Sequence, residues 1–230
     1  MVKNKLLILS GGMDSTTALY EFQDTIGLAV TFNYGSKHNE EETKRAVESC
    51  EELGIDHAII NLEDAFKGFE SNLLKDGGDI PEGHYADETM KATVVPFRNG
   101  IMLAIAAGLA ESNGLDKVVL ASHAGDHAVY PDCRPDFNGY MSKAMHTGTS
   151  NGVGIYAPYA DISKEDIANH GTLLGVDWNK TYSCYKGGPV HCGRCSTCVE
   201  RIWALRHLDD TTEYLDTEYA ENLLREKGEW

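Results

Sequence analysis

The chain has 230 residues, which suits one domain of moderate size or one domain with a small appendage. Its 20 basic and 36 acidic residues give a net charge of −16 and a pI near 4.9, so its surface repels nucleic-acid backbones. No apolar run is long enough to cross a bilayer, and Ser-Gly-Gly interrupts the run at 6–9 too early for a secretory signal. We therefore expect a cytoplasmic protein with no membrane contact and no direct nucleic-acid contact.

The first predicted element is a buried strand at 6–9 that leads into Ser-Gly-Gly and a helix. Asp14, Ser15, Thr16 and Thr17 supply capping groups where that helix should begin. Glycines let backbone N–H groups approach an anion, and the helix N-terminus adds partial positive charge. The loop lacks the lysine of a Walker loop, which disfavours a hydrolysing P-loop ATPase. We expect a pyrophosphate site here, although such a connection can also be a plain tight turn.

The remaining strands and helices alternate as in a parallel α/β fold. Strands are predicted at 27–32, 57–61, 117–121 and 154–158, and helices at 37–53, 101–112, 136–145 and 164–170. Ser36 and Ser163 are predicted to cap two of these helices. Residues 64–92 have no period and predict a mobile loop near the active edge, either a substrate lid or plain disorder. The expected fold is a Rossmann-like five-stranded parallel sheet over residues 1–180.

Ligands of open α/β sheets bind at the carboxyl ends of the strands, where the polar loops of this chain are predicted. Tyr34 and Lys37 follow the second strand, while Arg98 and Asn99 precede an apolar helix. Two prolines stiffen the segment 130–136, which suits recognition of a heteroaromatic base. Its Asp132 carboxylate can accept two hydrogens from a purine-like N–H pair. These residues are candidates for substrate binding.

The histidines and the thiol of the nearby irregular stretch are expected to be structural. His123 and His127 could be ligands or acid–base groups, but a hydrogen-bonded structural role is the favoured prediction for each. Cys133 has no identifiable partner base and is therefore a poor candidate for a nucleophile.

Four of the six cysteines share the spacing Cys184-x7-Cys192-x2-Cys195-x2-Cys198. In a reduced compartment this set suggests a metal rather than disulfides. Four thiolates close a tetrahedral shell and leave no open position, which predicts a structural Zn²⁺ ion. An iron–sulfur cluster uses the same ligand type and is the competing prediction, and His191 could replace one cysteine. Residues 181–230 are thus expected to form a zinc-binding helical tail packed on the same domain.

Several blocks together resemble the 7-cyano-7-deazaguanine synthase family of ATP pyrophosphatases. The blocks are Leu9-Ser10-Gly11-Gly12-Met13-Asp14-Ser15-Thr16-Thr17, Val95-Pro96-Phe97-Arg98-Asn99, Tyr130-Pro131-Asp132-Cys133-Arg134, Asp161-Ile162-Ser163-Lys164-Glu165, Tyr182-Ser183-Cys184-Tyr185 and Cys192-Gly193-Arg194-Cys195-Ser196-Thr197-Cys198. The third block and the cysteine tail discriminate best. Residues 122–129 depart from the family, which often has a Gly-Val-Asn opening and a Ser-Gly before the tyrosine.

The resemblance implies a fold of the adenine nucleotide alpha hydrolase type and a ligase that forms C–N bonds. Its substrates would be 7-carboxy-7-deazaguanine, ATP with Mg²⁺, and ammonia, and its product 7-cyano-7-deazaguanine (preQ0), used for queuosine. The carboxylate and then the amide oxygen would be adenylated, with release of AMP and pyrophosphate. A homodimer is also implied. The alternatives are an amide-forming variant, a tRNA sulfur-transfer enzyme, which the acidic charge disfavours, and a non-catalytic nucleotide-binding module, which the intact loop disfavours.

The resemblance also assigns roles to individual residues. Those implied to bind ATP are Ile8, Leu9, Ser10, Gly11, Gly12, Met13, Asp14, Ser15, Thr16, Thr17 and Ala18. Those implied to be catalytic are Ser10, Asp14, Ser15 and Lys164. Those implied to bind the deazapurine are Tyr34, Lys37, Arg98, Asn99, Tyr130, Asp132 and Arg134. Positioning and charge stabilisation would supply most of the catalysis.

Overall fold

The computed structural model describes residues 2–208 and 210–230, which are arranged around one parallel sheet. Its elements in chain order are β1 (Lys5–Ile8), α1 (Met13–Glu21), β2 (Ile26–Asn33), α2 (Asn39–Leu53), β3 (His57–Asn61), α3 (Arg98–Ser112), β4 (Lys117–Val119), α4 (Asp126–Val129), α5 (Pro135–Gly148), β5 (Gly154–Tyr156), α6 (Lys164–Leu173), α7 (Ser196–Leu205) and α8 (Thr217–Lys227). The five strands lie in the order β3-β2-β1-β4-β5, and all neighbours are parallel. The predicted α/β fold is confirmed.

The sheet is covered on both faces because successive strand residues point in opposite directions. Leu6 of β1 packs in one apolar cluster with Leu103 of α3. Its neighbour Leu7 packs in another cluster with Leu19 of α1 and Ile167 of α6. Each of these side chains is at most 1% exposed. The chain turns to opposite sides of β1 to form β2 and β4, so a crevice opens at the carboxyl ends of these strands.

One predicted helix cap is wrong and the other is confirmed. α2 begins at Asn39 rather than directly after Ser36. The Asn39 side chain accepts hydrogen bonds from the backbone N–H groups of Tyr34 and Ser36, which holds the chain in a turn before the helix starts. Ser163 does cap α6, since its Oγ accepts from the N–H of Asp166 at 3.1 Å.

The segment predicted to be a mobile loop is packed against the domain. It contains 3₁₀ turns at Glu63–Phe66 and Glu88–Thr93. Leu73 is fully buried and Met90 is 1% exposed. The apolar residues occur at irregular intervals, so the sequence lacks a helix or strand period even though the side chains enter the core.

The tail packs on the sheet domain. Tyr182 and Cys184 belong to the same apolar cluster as Leu6 of the central strand. Arg201 of α7 is fully buried and donates hydrogen bonds to the hydroxyl of Thr181 and the carbonyl of Trp178. These contacts join α7 to the segment that follows α6. Among the described helices, none is long and apolar enough to span a lipid bilayer.

Candidate active site

The loop between β1 and α1 leaves the start of the helix uncapped. Gly12 is the N-cap residue and no side chain caps the first turn, so the predicted capping by residues 14–17 is wrong. The Ser15 hydroxyl instead accepts from the N–H of Ser10 at 3.2 Å, and the Ser10 hydroxyl accepts from the N–H of Gly12 at 3.1 Å. The serines thus fold the loop. The N–H groups of the first helical turn remain available for an anion.

Gly11 fixes how closely this loop approaches α2. Its φ is +86°, in the left-handed region that favours glycine. A Cβ at this position would lie 2.3 Å from the carbonyl oxygen of Glu42 and 3.0 Å from the backbone nitrogen of Ala46. Both atoms belong to the backbone of α2, so a side chain here would push the loop away from the helix.

A cavity of about 220 Å³ lies in front of the loop, at the carboxyl ends of β1, β2 and β4. The predicted residues that line it are Ile8, Leu9, Ser10, Gly12, Met13, Asp14, Ser15, Tyr34, Arg98, Asn99, Tyr130 and Lys164. The predicted residues outside the lining are Gly11, Thr16, Thr17, Ala18, Lys37, Asp132 and Arg134. The structure therefore brings most of the predicted set into one site from segments that are distant in sequence.

Lys164 provides the positive charge beside the loop. Its Nζ lies 2.7 Å from Asp14 Oδ2 and 3.8 Å from Glu200 Oε2. Burial opposes the lysine charge, but the carboxylates of Asp14, Glu200 and Asp126 outweigh it and raise the pKa of Lys164. The lysine is therefore a permanent cation at the end of the cavity that the loop forms.

The other end of the cavity is aromatic and contains a guanidinium. Arg98 NH1 donates to the Tyr34 hydroxyl at 3.2 Å, and the guanidinium carbon lies 5.5 Å from the centre of that ring. The tyrosine is not an anion, so these contacts leave the charge of Arg98 unneutralised. The His38 ring stacks on Tyr185 with centroids 5.1 Å apart, and burial lowers the pKa of His38 to about 3. A planar, electron-rich base with an acidic substituent matches this environment.

Three predicted substrate residues have structural roles in place of cavity contacts. Lys37 donates through Nζ to backbone carbonyls of the segment 72–78. Asp132 is 6% exposed and accepts from the N–H of Asn99 at 2.8 Å, so it positions a residue that does line the cavity. Arg134 donates from Nε to the carbonyl of His127. The sequence placed these side chains near the correct loops but did not specify their directions.

Several cavity residues were not predicted as site residues. They are Glu42, Tyr85, His123, Asp126, Tyr182, Ser183, Tyr185, Thr197 and Glu200. His123 was predicted to be structural, yet it lines the cavity beside Asp126. Glu200 comes from α7, and its position two residues after Cys198 was the available signal. The proximity of Glu200 to Cys198 predicts a site residue only if the tail is already known to form a wall of the cavity.

The four predicted metal ligands converge. One ligand atom from each of Cys184, Cys192, Cys195 and Cys198 lies within 4.8 Å of the others, and all four residues are buried. The Cys192 sulfur accepts from the N–H of Cys195 at 3.2 Å, an interaction that stabilises a thiolate. This group can hold a metal ion. His191 lies outside it and accepts through Nε2 from the N–H of Ser183, so the histidine alternative is wrong.

The sheet order, the uncapped loop and the cavity beyond it define an α/β protein with a candidate anion-binding site at the carboxyl ends of its strands. The family model described as "Queuosine biosynthesis protein QueC" matches residues 4–209. The chain belongs to this family.

Curated relatives are similar along nearly their whole length. The 7-cyano-7-deazaguanine synthase of Porphyromonas gingivalis strain W83 is 56% identical over 214 residues, which cover 92% of this chain and 97% of the relative. The enzyme of that name from Desulfotalea psychrophila is 50% identical over 216 residues, covering 92% of this chain and 99% of the relative. The solved NMN synthetase from Francisella tularensis has a TM-score of 0.48 at 16% identity, covering 99% of this chain and 78% of that one. The fold assignment does not depend on this last similarity.

Proposed function

We propose that this protein is a 7-cyano-7-deazaguanine synthase, which converts 7-carboxy-7-deazaguanine, ATP and ammonia into the nitrile preQ0. The observation that carries the proposal is the pairing within one cavity of an uncapped phosphate loop and an aromatic wall that contains Arg98. The first is suited to ATP and the second to a planar base with a carboxylate. The names of relatives that are 50% and 56% identical support the same activity.

The loop and Lys164 are proposed to hold the phosphates of ATP. The first-turn N–H groups of α1 and the lysine ammonium face developing negative charge as pyrophosphate departs. Ser10 and Ser15 maintain the loop through their mutual hydroxyl contact at 3.0 Å. Asp14 Oδ1 is buried without a hydrogen-bond partner among the residues that the structure describes, and it suits the Mg²⁺ ion, which neutralises phosphate charge when ATP is bound. Leu9, Thr16, Thr17 and Ala18 support the loop and helix behind it.

Arg98 is proposed to bind the substrate carboxylate, with Tyr34, Asn99 and Tyr130 around the deazapurine. A guanidinium forms two parallel hydrogen bonds with a carboxylate, which fixes both position and orientation. The Tyr130 hydroxyl lies 3.1 Å from Thr93 Oγ1, so its ring is held in place before substrate arrives. Such rigid positioning lowers the entropic cost of bringing the carboxylate to the α-phosphorus of ATP.

The chemistry follows from the poor leaving ability of hydroxide. A carboxylate oxygen attacks the α-phosphorus, pyrophosphate leaves, and the acyl carbon now carries AMP as its leaving group. Ammonia displaces AMP and forms the amide. A second ATP adenylates the amide oxygen, and the loss of AMP and the nitrogen-bound protons leaves the nitrile. Both adenylations use the same loop, and charge stabilisation and positioning supply most of the rate.

The cysteine group is proposed to bind structural Zn²⁺. Four thiolates satisfy tetrahedral zinc and leave no position for a substrate, and free thiolate ligands require a reducing compartment such as the cytoplasm. We propose residues 1–180 as the catalytic domain, residues 181–230 as the zinc tail that completes it, and a homodimer on the family resemblance. Metal analysis should give zinc in a colourless protein, whereas a brown protein containing iron and sulfide would contradict this assignment.

The activity is tested with purified protein, 7-carboxy-7-deazaguanine, ATP, Mg²⁺ and ammonium, with the product identified by mass spectrometry. We expect the nitrile and two AMP per turnover. An enzyme that accumulates only the amide with one AMP per turnover is the amide-forming alternative. An absence of AMP release that depends on the carboxydeazaguanine would reject the proposed activity altogether.

A further inference from the structure

A cluster of charged groups on the cavity wall beside Lys164 has no role in the reaction described above. It consists of His123, Asp126 on α4 and Glu200 on α7, and all three line the cavity. His123 Nε2 lies 3.4 Å from Asp126 Oδ1 and 3.7 Å from Glu200 Oε1. The imidazole therefore stands between two carboxylates.

The hydrogen bonds of His123 make it a neutral donor. Its Nδ1 accepts from the N–H of Gly125 at 3.1 Å, so Nδ1 carries no proton and the ring proton is on Nε2. One N–H cannot satisfy two carboxylates. Asp126 has further donors, the Tyr85 hydroxyl at 2.7 Å and the backbone N–H of His123 at 3.0 Å. Among the described residues, the donors next to the Glu200 carboxylate are His123 Nε2 and Lys164 Nζ, which lie 3.7 and 3.8 Å away.

One further acceptor in the same cavity is unused. The Ser122 hydroxyl has no hydrogen-bond partner among the described residues, and this serine is 6% exposed. With neutral His123, the carboxylates of Asp126 and Glu200 face Lys164, whose single positive charge is already paired with Asp14 at 2.7 Å. A small cation that donates hydrogen bonds would satisfy both the charge and the acceptors.

The spacing of these groups favours ammonium over a directly bound metal. Within residues 2–208 and 210–230, one group of three or more His, Cys, Asp or Glu side chains has all its ligand atoms within 4.8 Å of one another, and that group is the four cysteines. The carboxylates beside His123 do not form such a compact group. Mg²⁺ requires oxygen ligands at about 2.1 Å, which demands a compact set. Ammonium reaches its acceptors through N–H bonds at nitrogen–oxygen distances of about 2.7–2.9 Å, so it can bridge more widely spaced oxygens.

We propose that Glu200 and Asp126, together with the Ser122 hydroxyl, bind the ammonium ion that supplies the nitrogen of the product. This inference rests on the proposed function, in which ammonia displaces AMP: the bound ammonium first loses one proton to solvent, and the lone pair of the resulting ammonia attacks the acyl carbon as AMP leaves. It places the nitrogen source beside Lys164, and hence beside the end of the cavity where the adenylate forms. His123 is a positioning residue that orients the two carboxylates.

The test uses Glu200→Gln, which keeps the shape of the side chain and removes its charge. ATP–pyrophosphate exchange that depends on 7-carboxy-7-deazaguanine, without ammonium, reports folding and adenylation separately from the use of ammonium. The KM for ammonium should rise about ten- to a hundredfold, because a charged hydrogen-bond partner is lost. With hydroxylamine as the nucleophile in place of ammonia, the rate of product formation should be nearly the same in Glu200→Gln and wild type, because hydroxylamine is neutral at neutral pH and needs no carboxylate to balance a charge. The matched control is Glu52→Gln, which removes a surface contact with Lys180 at 2.6 Å and should change neither value.

The possible results separate this inference from the proposed function. An unchanged KM for ammonium in Glu200→Gln would overturn the ammonium site, and so would a parallel loss of pyrophosphate exchange, which would assign Glu200 to ATP and Mg²⁺. Absence of exchange in the wild-type protein would instead contradict the proposed function. Thallous ion provides a readout without catalysis, because it has the charge and about the radius of ammonium. Crystals soaked in it should show an anomalous peak on the cavity side of the Glu200 and Asp126 carboxylates that Glu200→Gln lacks, and a wild-type crystal without this peak would also overturn the site.

Discussion

The substitution Gly11→Ala tests how far the phosphate loop depends on its contact with α2. The added methyl group would lie 2.3 Å from the carbonyl oxygen of Glu42 and 3.0 Å from the nitrogen of Ala46. Both atoms are held in helical hydrogen-bonding geometry, so neither can rotate out of the way. The loop must therefore move, and the N–H groups that we assign to the pyrophosphate move with it.

The expected loss of stability has two parts. A left-handed backbone conformation costs a non-glycine residue about 1–2 kcal/mol. Forcing an extra carbon into a packed contact costs about 1–3 kcal/mol more. The free energy of unfolding of Gly11→Ala should thus fall by about 2–5 kcal/mol. Gly54→Ala separates the two parts, because Gly54 has a φ of +64° and an added Cβ there has no atom within 4 Å. The free energy of unfolding of Gly54→Ala should therefore fall only by the cost of the left-handed backbone conformation, about 1–2 kcal/mol.

Urea unfolding followed by circular dichroism measures both losses, and ATP–pyrophosphate exchange without urea measures the effect on the site. Exchange should fall about a hundredfold in Gly11→Ala, since displacements of about 1 Å have effects of this size, and should persist in Gly54→Ala. If the two variants unfold at the same urea concentration and exchange at the same rate, the close contact between the loop and α2 does not control the site.

Five further substitutions examine other parts of the structure. Lys164→Met should reduce pyrophosphate exchange at least a hundredfold, because it removes the cation beside the loop, whereas Lys37→Met should keep exchange and lower only the urea midpoint. Arg98→Met should raise the KM for the carboxydeazaguanine at least tenfold in steady-state assays; an equal rise in the KM for ATP would argue against a carboxylate contact. Cys195→Ser should lose bound zinc by metal analysis and unfold at lower temperature, and full retention of zinc would exclude this ligand set. Burial raises the pKa of Glu42 to about 8 from 4.5, so the folded protein retains a proton that the unfolded chain loses, and stability should decline as pH rises between these values. Glu42→Gln should remove this decline, and denaturation curves that change with pH as in the wild-type protein would contradict it.

The central strands β1 and β2 were predictable from sequence because they are largely buried and read as apolar runs. The third strand was predicted with the bounds that it has, His57–Asn61. The fourth and fifth ended earlier than predicted, at Val119 and Tyr156, where the chain leaves the sheet for the site loops. Apolar residues continue past both ends, so composition alone could not locate the last ladder hydrogen bond.

The site was less predictable, since a loop can be placed from sequence while the direction of each side chain depends on tertiary contacts. Lys37 follows a predicted strand and Arg98 precedes a predicted helix, yet of these two cations only Arg98 lines the cavity, because backbone carbonyls bind the Lys37 ammonium. The place of Glu200 in the cavity could not be predicted, because it depends on how α7 packs against the sheet domain. The metal site, by contrast, was predictable from sequence, because the four cysteines lie so close together in the chain that local backbone geometry alone brings their sulfur atoms together.

The backbone hydrogen bond from Tyr182 N–H to Gly11 O, 2.9 Å long, has a consequence for protein synthesis. The loop leaves the ribosome early, but the segment that supports it, and the helix that supplies Glu200, are translated much later. A nascent chain that has only the sheet therefore has a phosphate loop without one wall of its cavity. Completion of the wall awaits the tail. On the proposed function and the proposed zinc site, unfinished chains and chains made under zinc starvation should thus be unable to consume ATP.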